Sequence, residues 1–398
     1  MAEQEWQSVP VGPAAPRYVT RTDCKTVLVA VHTLVSGQRL MDVVGLIESD
    51  RRVQLVYSRA PSAHGGGVEE YLKSVGGVEI PWSQATHENF DLALAAAHAD
   101  IDRIHAPLLL MPHGASYGKR VGGATGPVYG LDSGRLLRDG RVVPAALVLS
   151  HDSQLRMLEA QCPPALAVAV VAGDPCFDKL LVSTRLREDY RWALGVRPGR
   201  ELVLLTSTWG QHSLFNRFER YLPSLLRQLD PDRYRVAMLI HPAVWYSHGR
   251  RTVRAWLTEA RAAGLLLIDP EVDWRAAVVA ADYVIGDHGS TTVYAAALGR
   301  PVLCTDLPVE SLNPDSPQNL LGMAAPRLIR SRPIVPQLHA ATDERAAADR
   351  ESVARLLTSR PGQAHRLLRK EMYRLLGLSM PGRHRAVEPV PVPDLHER

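Results

Sequence analysis

A chain of 398 residues and 43.8 kDa is too long for one compact hydrophobic core and suits two domains of under roughly two hundred residues each. Its 46% hydrophobic and 22% charged residues, with a mean hydropathy of −0.10, exclude a disordered or fibrous polypeptide. The net charge of +4 comes from arginines spread along the chain and not from a basic patch, so nucleic acid is not an expected partner.

The first residues, MAEQEWQSVPVGPAAP, hold acids and prolines where a signal peptide would carry a basic segment and an apolar core. Residues 1–20 therefore read as a flexible N-terminus and the localisation as cytoplasmic. No apolar run approaches the roughly 18 residues of a membrane span. Cys24, Cys162, Cys176 and Cys304 lie far apart, with no CxxC pair, and read as reduced thiols; neither a metal site nor a cofactor is expected.

Residues 26–33 (TVLVAVHT) form a β-rich apolar run, and SGQRLMDVVGLIESD follows with helical spacing behind Ser36 as cap candidate. The strand–helix unit recurs as VQLVYSRA with GVEEYLKSVGG, as VEIPW with HENFDLALAAAHAD, as the strand APLLLMPHG, and as PAALVLSH with DSQLRMLEAQ. This alternation predicts a parallel sheet wound on both faces over 21–178.

A charged helical stretch, STRLREDYRWALG, leads into a second series over 179–350. Its strands are ELVLLTSTW, YRVAMLIHP, GLLLIDP, DYVIGDHG and RPVLCTD, with helices such as HGRRTVRAWLTEARAA between them. Helices over 351–380, with Leu368, Met372, Leu375 and Leu376 on one stripe, should pack back onto the body. The stretch 381–398, with four prolines, reads as a flexible tail. Two doubly wound α/β domains facing a central cleft follow, with ligands expected at the carboxyl ends of the strands.

The most informative segment is AADYVIGDHGSTTVYAAALGRPVLCTD at 280–306. A strand gives way at Asp287, His288, Gly289, Ser290, Thr291 and Thr292 to a helix, and Gly289 allows close backbone approach. Hydroxyls and unpaired first-turn amides meet at one place, which suits a phosphate or pyrophosphate. A plain helix cap by Ser290 explains the same residues. The glycines at 65–67 lack the Lys-Ser/Thr of a phosphate loop and read as an ordinary turn.

This segment resembles the donor-binding turn of GT-B transferases, and the chain resembles the CDP-glycerol glycerophosphotransferase family in particular. MPHGASYGK (His113, Gly114, Lys119), GDPCFDKLL (Gly173, Pro175, Asp178), LLTSTWG (Thr208, Trp209) and LIHP (His241, Pro242) match further family segments in the same order. Ser207 and Gly210 depart from the family's usual proline and basic residue, and His288-Gly289 is closer to sugar-nucleotide glycosyltransferases.

The resemblance implies a GT-B fold and a metal-independent transferase that moves a glycosyl or glycerophosphate group to an acceptor hydroxyl. The donor would be a CDP-, UDP-, GDP- or dTDP-linked nucleotide diphosphate, and the acceptor a small molecule or polymer, bound by a single chain or a homodimer. His113 would act as base and His241 would hydrogen-bond the leaving diphosphate, with Gly114 and Lys119 on the acceptor side. Thr208, Trp209, Asp273 and residues 287–292 would hold the donor. A UDP-N-acetylglucosamine 2-epimerase-like enzyme is disfavoured because TTVYAAALG offers no acid in place of that family's glutamates. A non-catalytic nucleotide- or partner-binding relative of the same fold is the third reading. His32, His64, His151 and His212 read as structural.

Overall fold

The computed structural model describes residues 6–7, 9–12, 17, 19–21, 23–305, 307–383 and 386–394. It divides into two compact units. One comprises 1–114, 127–176 and 359–386, and the other 115–126, 177–358 and 387–398.

The first unit is built on a parallel sheet of β1 (Lys25–Val31), β2 (Val53–Arg59), β3 (Glu79–Ile80), β4 (Leu92–Ala95), β5 (Leu108–Leu110), β8 (Ala146–Leu149) and β9 (Ala169–Val171). The spatial order is β3-β2-β1-β4-β5-β8-β9, and the short strands β6 (Leu137–Arg138) and β7 (Arg141–Val142) form a separate hairpin. Helices cover both faces, so β1 reads as a continuous apolar run, Val27 to Val31, with every residue buried.

The helix predicted over HENFDLALAAAHAD is in fact β4. Leu92, Ala93, Leu94 and Ala95 are all fully buried, and Leu94 pairs with Val29 of β1 and Leu109 of β5. A short apolar run with no exposed face carries no period, and its alanines bias the reading towards helix. The cap of the helix Leu34–Val44 also differs from expectation. Thr33 is the N-cap, accepting from the Ser36 amide at 3.1 Å, while Ser36 Oγ accepts from the Thr33 amide at 2.9 Å.

The C-terminal helix Ala364–Leu376 packs back as expected, with Leu368, Met372 and Leu376 buried in the core shared with Leu40, Val43 and Leu94, and Leu375 partly buried. The preceding helix Glu344–Leu357 belongs to the second unit, so the expected boundary at 350/351 falls inside a helix.

The second unit's sheet, ordered β12-β11-β10-β13-β14, is also parallel. Its strands are β10 (Glu201–Ser207), β11 (Tyr234–Ile240), β12 (Leu266–Ile268), β13 (Tyr283–Gly286) and β14 (Val302–Cys304). Trp245, Met238, Ile285 and Leu338 centre its core. The helix Phe218–Gln228 carries Pro223 in its interior, which conceals it from a sequence reading.

Both expected flexible ends are tied down where they are described. Val9 and Val11 are buried, and Gln7 exchanges two hydrogen bonds with the Gln84 side chain. Val390 is fully buried; its amide donates to Ser183 Oγ at 2.9 Å and its carbonyl accepts from Tyr190 Oη at 2.5 Å. Prolines suit this extended segment because they ask for no ladder donor. The remaining terminal residues of 1–20 and 381–398 lie outside the described set. Truncation after Ala386 should therefore destabilise the protein by about 2 kcal/mol, the scale of burying one valine side chain, seen as a lowered urea midpoint; an unchanged midpoint would make the packing of Val390 incidental.

Candidate functional site

In the second unit, the carboxyl ends of β10 and β13 converge on one turn. The last residue of β13 is Gly286, where a side chain would collide with the hydroxyls of Thr206 and Thr292. Those hydroxyls instead bond to each other at 2.9 Å, pinning the helix Ser290–Ala297 against β10. Thr292 is thereby engaged inside the protein.

Asp287 is buried and gathers donors from three segments. Its Oδ2 accepts from the Thr208 amide at 2.9 Å, the Leu214 amide at 2.8 Å and Ser207 Oγ at 3.4 Å, and its Oδ1 accepts from the Gly289 amide at 3.0 Å. Burial pushes its pKa up to about 6, against the opposing pull of those donors. Asp287 thus organises the turn from within.

Ser290 does not cap its helix. The N-cap is Gly289, in extended geometry and without a side-chain cap bond, and Ser290 Oγ accepts from the Ala115 amide at 3.0 Å. Ala115 opens the excursion 115–126, which belongs to the second unit although residues on both sides of it belong to the first. Gln318 Nε2 donates to the Ala115 carbonyl at 2.5 Å, and Asn313 Nδ2 donates to the Tyr117 carbonyl at 2.9 Å.

This excursion sets Lys119 Nζ 5.4 Å from the centroid of the Trp209 ring, whose side chain is 40% exposed. Lys119 was expected beside the acceptor, but it lies in the unit that carries the 287–292 turn. Desolvation holds its pKa below the usual lysine value, with Asp287 opposing. His288 is pushed down to about 4, by burial first and then by Lys119 and His212, and its buried Nδ1 has no hydrogen-bond partner. A neutral imidazole, a lysine and the first-turn amides of an eight-residue helix therefore share this edge, with Thr291 half-buried on the same turn.

His241 follows β11 and caps the helix Pro242–His248. Its Nδ1 accepts from the Ala243 amide at 3.1 Å, which places the proton of the neutral ring on Nε2. Its ring centroid lies 6.5 Å from that of Trp209. Asp273 caps the helix Trp274–Ala280 and pairs with the buried Arg275 at 2.7 Å, so its carboxylate has two local tasks.

In the first unit, His113 follows β5 and is exposed; its Nδ1 donates to the Ala96 carbonyl at 2.8 Å. A carbonyl can only accept, so the neutral ring carries its lone pair on Nε2. The Gly114 carbonyl accepts from Arg39 Nη2 at 3.2 Å. His32 and His98 follow the neighbouring strands β1 and β4. Burial lowers both pKa values, that of His98 to about 4, and His32 Nε2 meets the Ala99 carbonyl at 2.8 Å.

Sequence reasoning missed Arg39, Ser207, Leu214, Asn313 and Gln318. The NPDSP turn at 313–317 marks a loop, but only three-dimensional proximity shows that the adjoining polar side chains hold 115–118.

No family model matches the sequence, and no curated protein does. Solved structures do match. The wall teichoic acid polymerase TagF aligns at 11% identity over 89% of this chain and 89% of its own, with a TM-score of 0.58, and a TagF variant reaches 0.60. The UDP-GlcNAc 2-epimerase from Neisseria meningitidis aligns at 14% identity over 88% of this chain and 100% of its own, with a TM-score of 0.53. The chain has the GT-B fold. Two Rossmann-like units with parallel sheets, as described above, are what that fold requires, and at such identities the likeness speaks for the fold alone.

The raised pKa of Asp287 makes a signed prediction. Its folded value, about 6, lies above the ordinary carboxyl value of 3.8, so its contribution to stability is full below pH 4 and is lost as pH rises to about 6. In chemical denaturation from pH 4 to 7, the stability difference between wild type and Asp287→Asn should shrink across that window and then level off; a difference independent of pH would refute the raised value.

Proposed function

We propose that this GT-B protein is a metal-independent transferase that moves a glycosyl or glycerophosphate group from a nucleotide-diphosphate donor to an acceptor hydroxyl. The observation that carries the reading is the chemistry of the 287–292 turn. First-turn helix amides, the Ser290 and Thr291 hydroxyls and Lys119 lie in one unit with a carboxylate, Asp287, whose oxygens are occupied by internal donors. A diphosphate supplies the negative charge that such an edge attracts. TagF and the matched epimerase are, by name, a wall teichoic acid polymerase and an enzyme acting on UDP-GlcNAc, which supports a donor of this class.

The two histidines are in complementary forms. In this reading His241, protonated on Nε2, donates to the leaving diphosphate, and His113, protonated on Nδ1, takes the proton of the attacking hydroxyl. As the hydroxyl oxygen bonds to the transferred centre, the bond to the diphosphate oxygen breaks, and Lys119 with the helix N-terminus stabilises the charge that develops there. Trp209 walls the donor side, and cytoplasmic nucleotide pools suit the reading. The epimerase alternative keeps its disadvantage, because the helix Ser290–Ala297 has no acid in its first turn.

Two outcomes test this. Replacing Ser290 and Thr291 together by alanine should weaken nucleotide-diphosphate binding by about 1 to 3 kcal/mol in calorimetric titration; full affinity in a folded variant would reduce the turn to a structural device. His113→Ala should lower turnover by about 10² to 10⁴-fold with donor affinity unchanged. Full activity in that variant would remove His113 as base.

A further inference from the structure

The amino-terminal edge of the second unit's sheet, at the other end of the strands from the 287–292 turn, gathers three arginines around one carboxylate. Asp282 immediately precedes β13, and both of its oxygens are taken. Oδ1 accepts from Arg187 Nη2 at 2.7 Å, and Oδ2 accepts from Arg191 Nη1 at 2.6 Å and from the Leu202 amide at 2.7 Å. Arg187 and Arg191 lie on the helix Arg187–Ala193 and also donate to carbonyls at the end of the helix Trp274–Ala280, Arg187 Nε to Val279 at 3.2 Å and Arg191 Nη1 to Ala280 at 3.1 Å. These two arginines hold the fold together.

Arg300 is the third. Val284 of β13 pairs with Val302 of β14, so Asp282 and Arg300, each two residues earlier, stand next to each other at the sheet edge. Among the described residues, however, the Arg300 side chain makes no hydrogen bond or ion pair, and its Nε is buried without a partner. Burial first, and then the Arg187 guanidinium, push its pKa down to about 10 against the pull of Asp282, with Arg191 adding to the push. Glu188 comes within 3.6 Å of Arg187 Nη1 and 3.7 Å of Arg191 Nε, but its side chain is 83% exposed and water screens it.

A guanidinium partly withdrawn from water, beside two like charges and with no counter-ion of its own, is a liability for folding. A neutral side chain would cover the same surface without it. What the planar fork of donors supplies is recognition of an anion with several oxygens. Arg187 Nη1, which has only the screened Glu188 near it among the described residues, is a further donor for such an anion. Three cations against one fully engaged carboxylate favour a dianion over a monoanion, and so phosphate over carboxylate.

We infer that Arg300, with Arg187 and Arg191, forms a binding site for a phosphate group at the amino edge of this sheet. Arg300 follows the last turn of the helix Ser290–Ala297, whose first turn belongs to the candidate donor site, so the two sites lie at opposite ends of one helix and this one is independent of the transferase reading.

The probe is inorganic phosphate, titrated calorimetrically into the full chain at low ionic strength, since such contacts weaken with salt. Because the 287–292 turn also attracts phosphate, Ser290→Ala with Thr291→Ala is titrated alongside. Wild type should show a binding event that survives in this double variant and weakens about tenfold or more in Arg300→Gln, the scale of one hydrogen bond to a charged group. Arg300→Lys, which keeps the charge without the fork, should weaken it about threefold, and decides alone if Arg300→Gln fails to fold. Phosphate should also raise the melting temperature of wild type more than that of Arg300→Gln. Acetate should bind about tenfold more weakly than phosphate. Unchanged phosphate affinity in a folded Arg300 variant, binding lost only with Ser290 and Thr291, or no phosphate binding by wild type overturns the inference; acetate binding as tightly as phosphate overturns the assignment to phosphate.

Discussion

The candidate donor edge depends on one buried carboxylate. Among the described residues Asp287 has no cation as direct partner; backbone amides from three places, after β10, in the loop towards Phe215 and at the start of the helix Ser290–Ala297, satisfy it with a serine hydroxyl. Burying an acid costs several kcal/mol unless its lone pairs are filled. That cost makes the arrangement specific: only a chain path that brings Thr208, Leu214 and Gly289 together keeps the carboxylate satisfied. The turn is thereby shaped before any ligand arrives, which is how a site gains affinity without paying to order itself.

A second constraint is tautomeric. His113 and His241 both follow parallel strands, but the first has its Nδ1 against a carbonyl and the second against an amide. The backbone contact thus places the proton of the neutral ring on Nδ1 in His113 and on Nε2 in His241, without recourse to differing charges. Identical side chains acquire opposite tautomers from the turn geometry beneath them.

The sequence showed much of this, and what it concealed has physical causes. Strands such as Glu201–Ser207 and Tyr234–Ile240 are seven-residue, largely apolar runs bounded by turns, so their type was legible. Leu92–Ala95 was not, because four buried apolar residues carry no period. The turn at 287–292 was legible as a place, since glycine, acid and hydroxyls cluster there, but the division of labour within it was not. Ser290 and a cap-type serine have the same local spelling; only the amide of Ala115, 175 residues away, distinguishes them. Lys119 is close in sequence to His113 yet lies with the other unit, because the grip of Asn313 and Gln318 on residues 115–117 is a long-range interaction.

Neither unit is continuous in sequence. The chain passes from one to the other after Gly114, Gly126, Cys176, Thr358 and Ala386. Excising 177–358 as an autonomous domain would strip Gln318 Nε2 and Asn313 Nδ2 of their carbonyl acceptors and leave Ser183 and Tyr190 without Val390. Transfer of such a half onto a foreign partner would have to carry 115–126 and 387–398 along with 177–358.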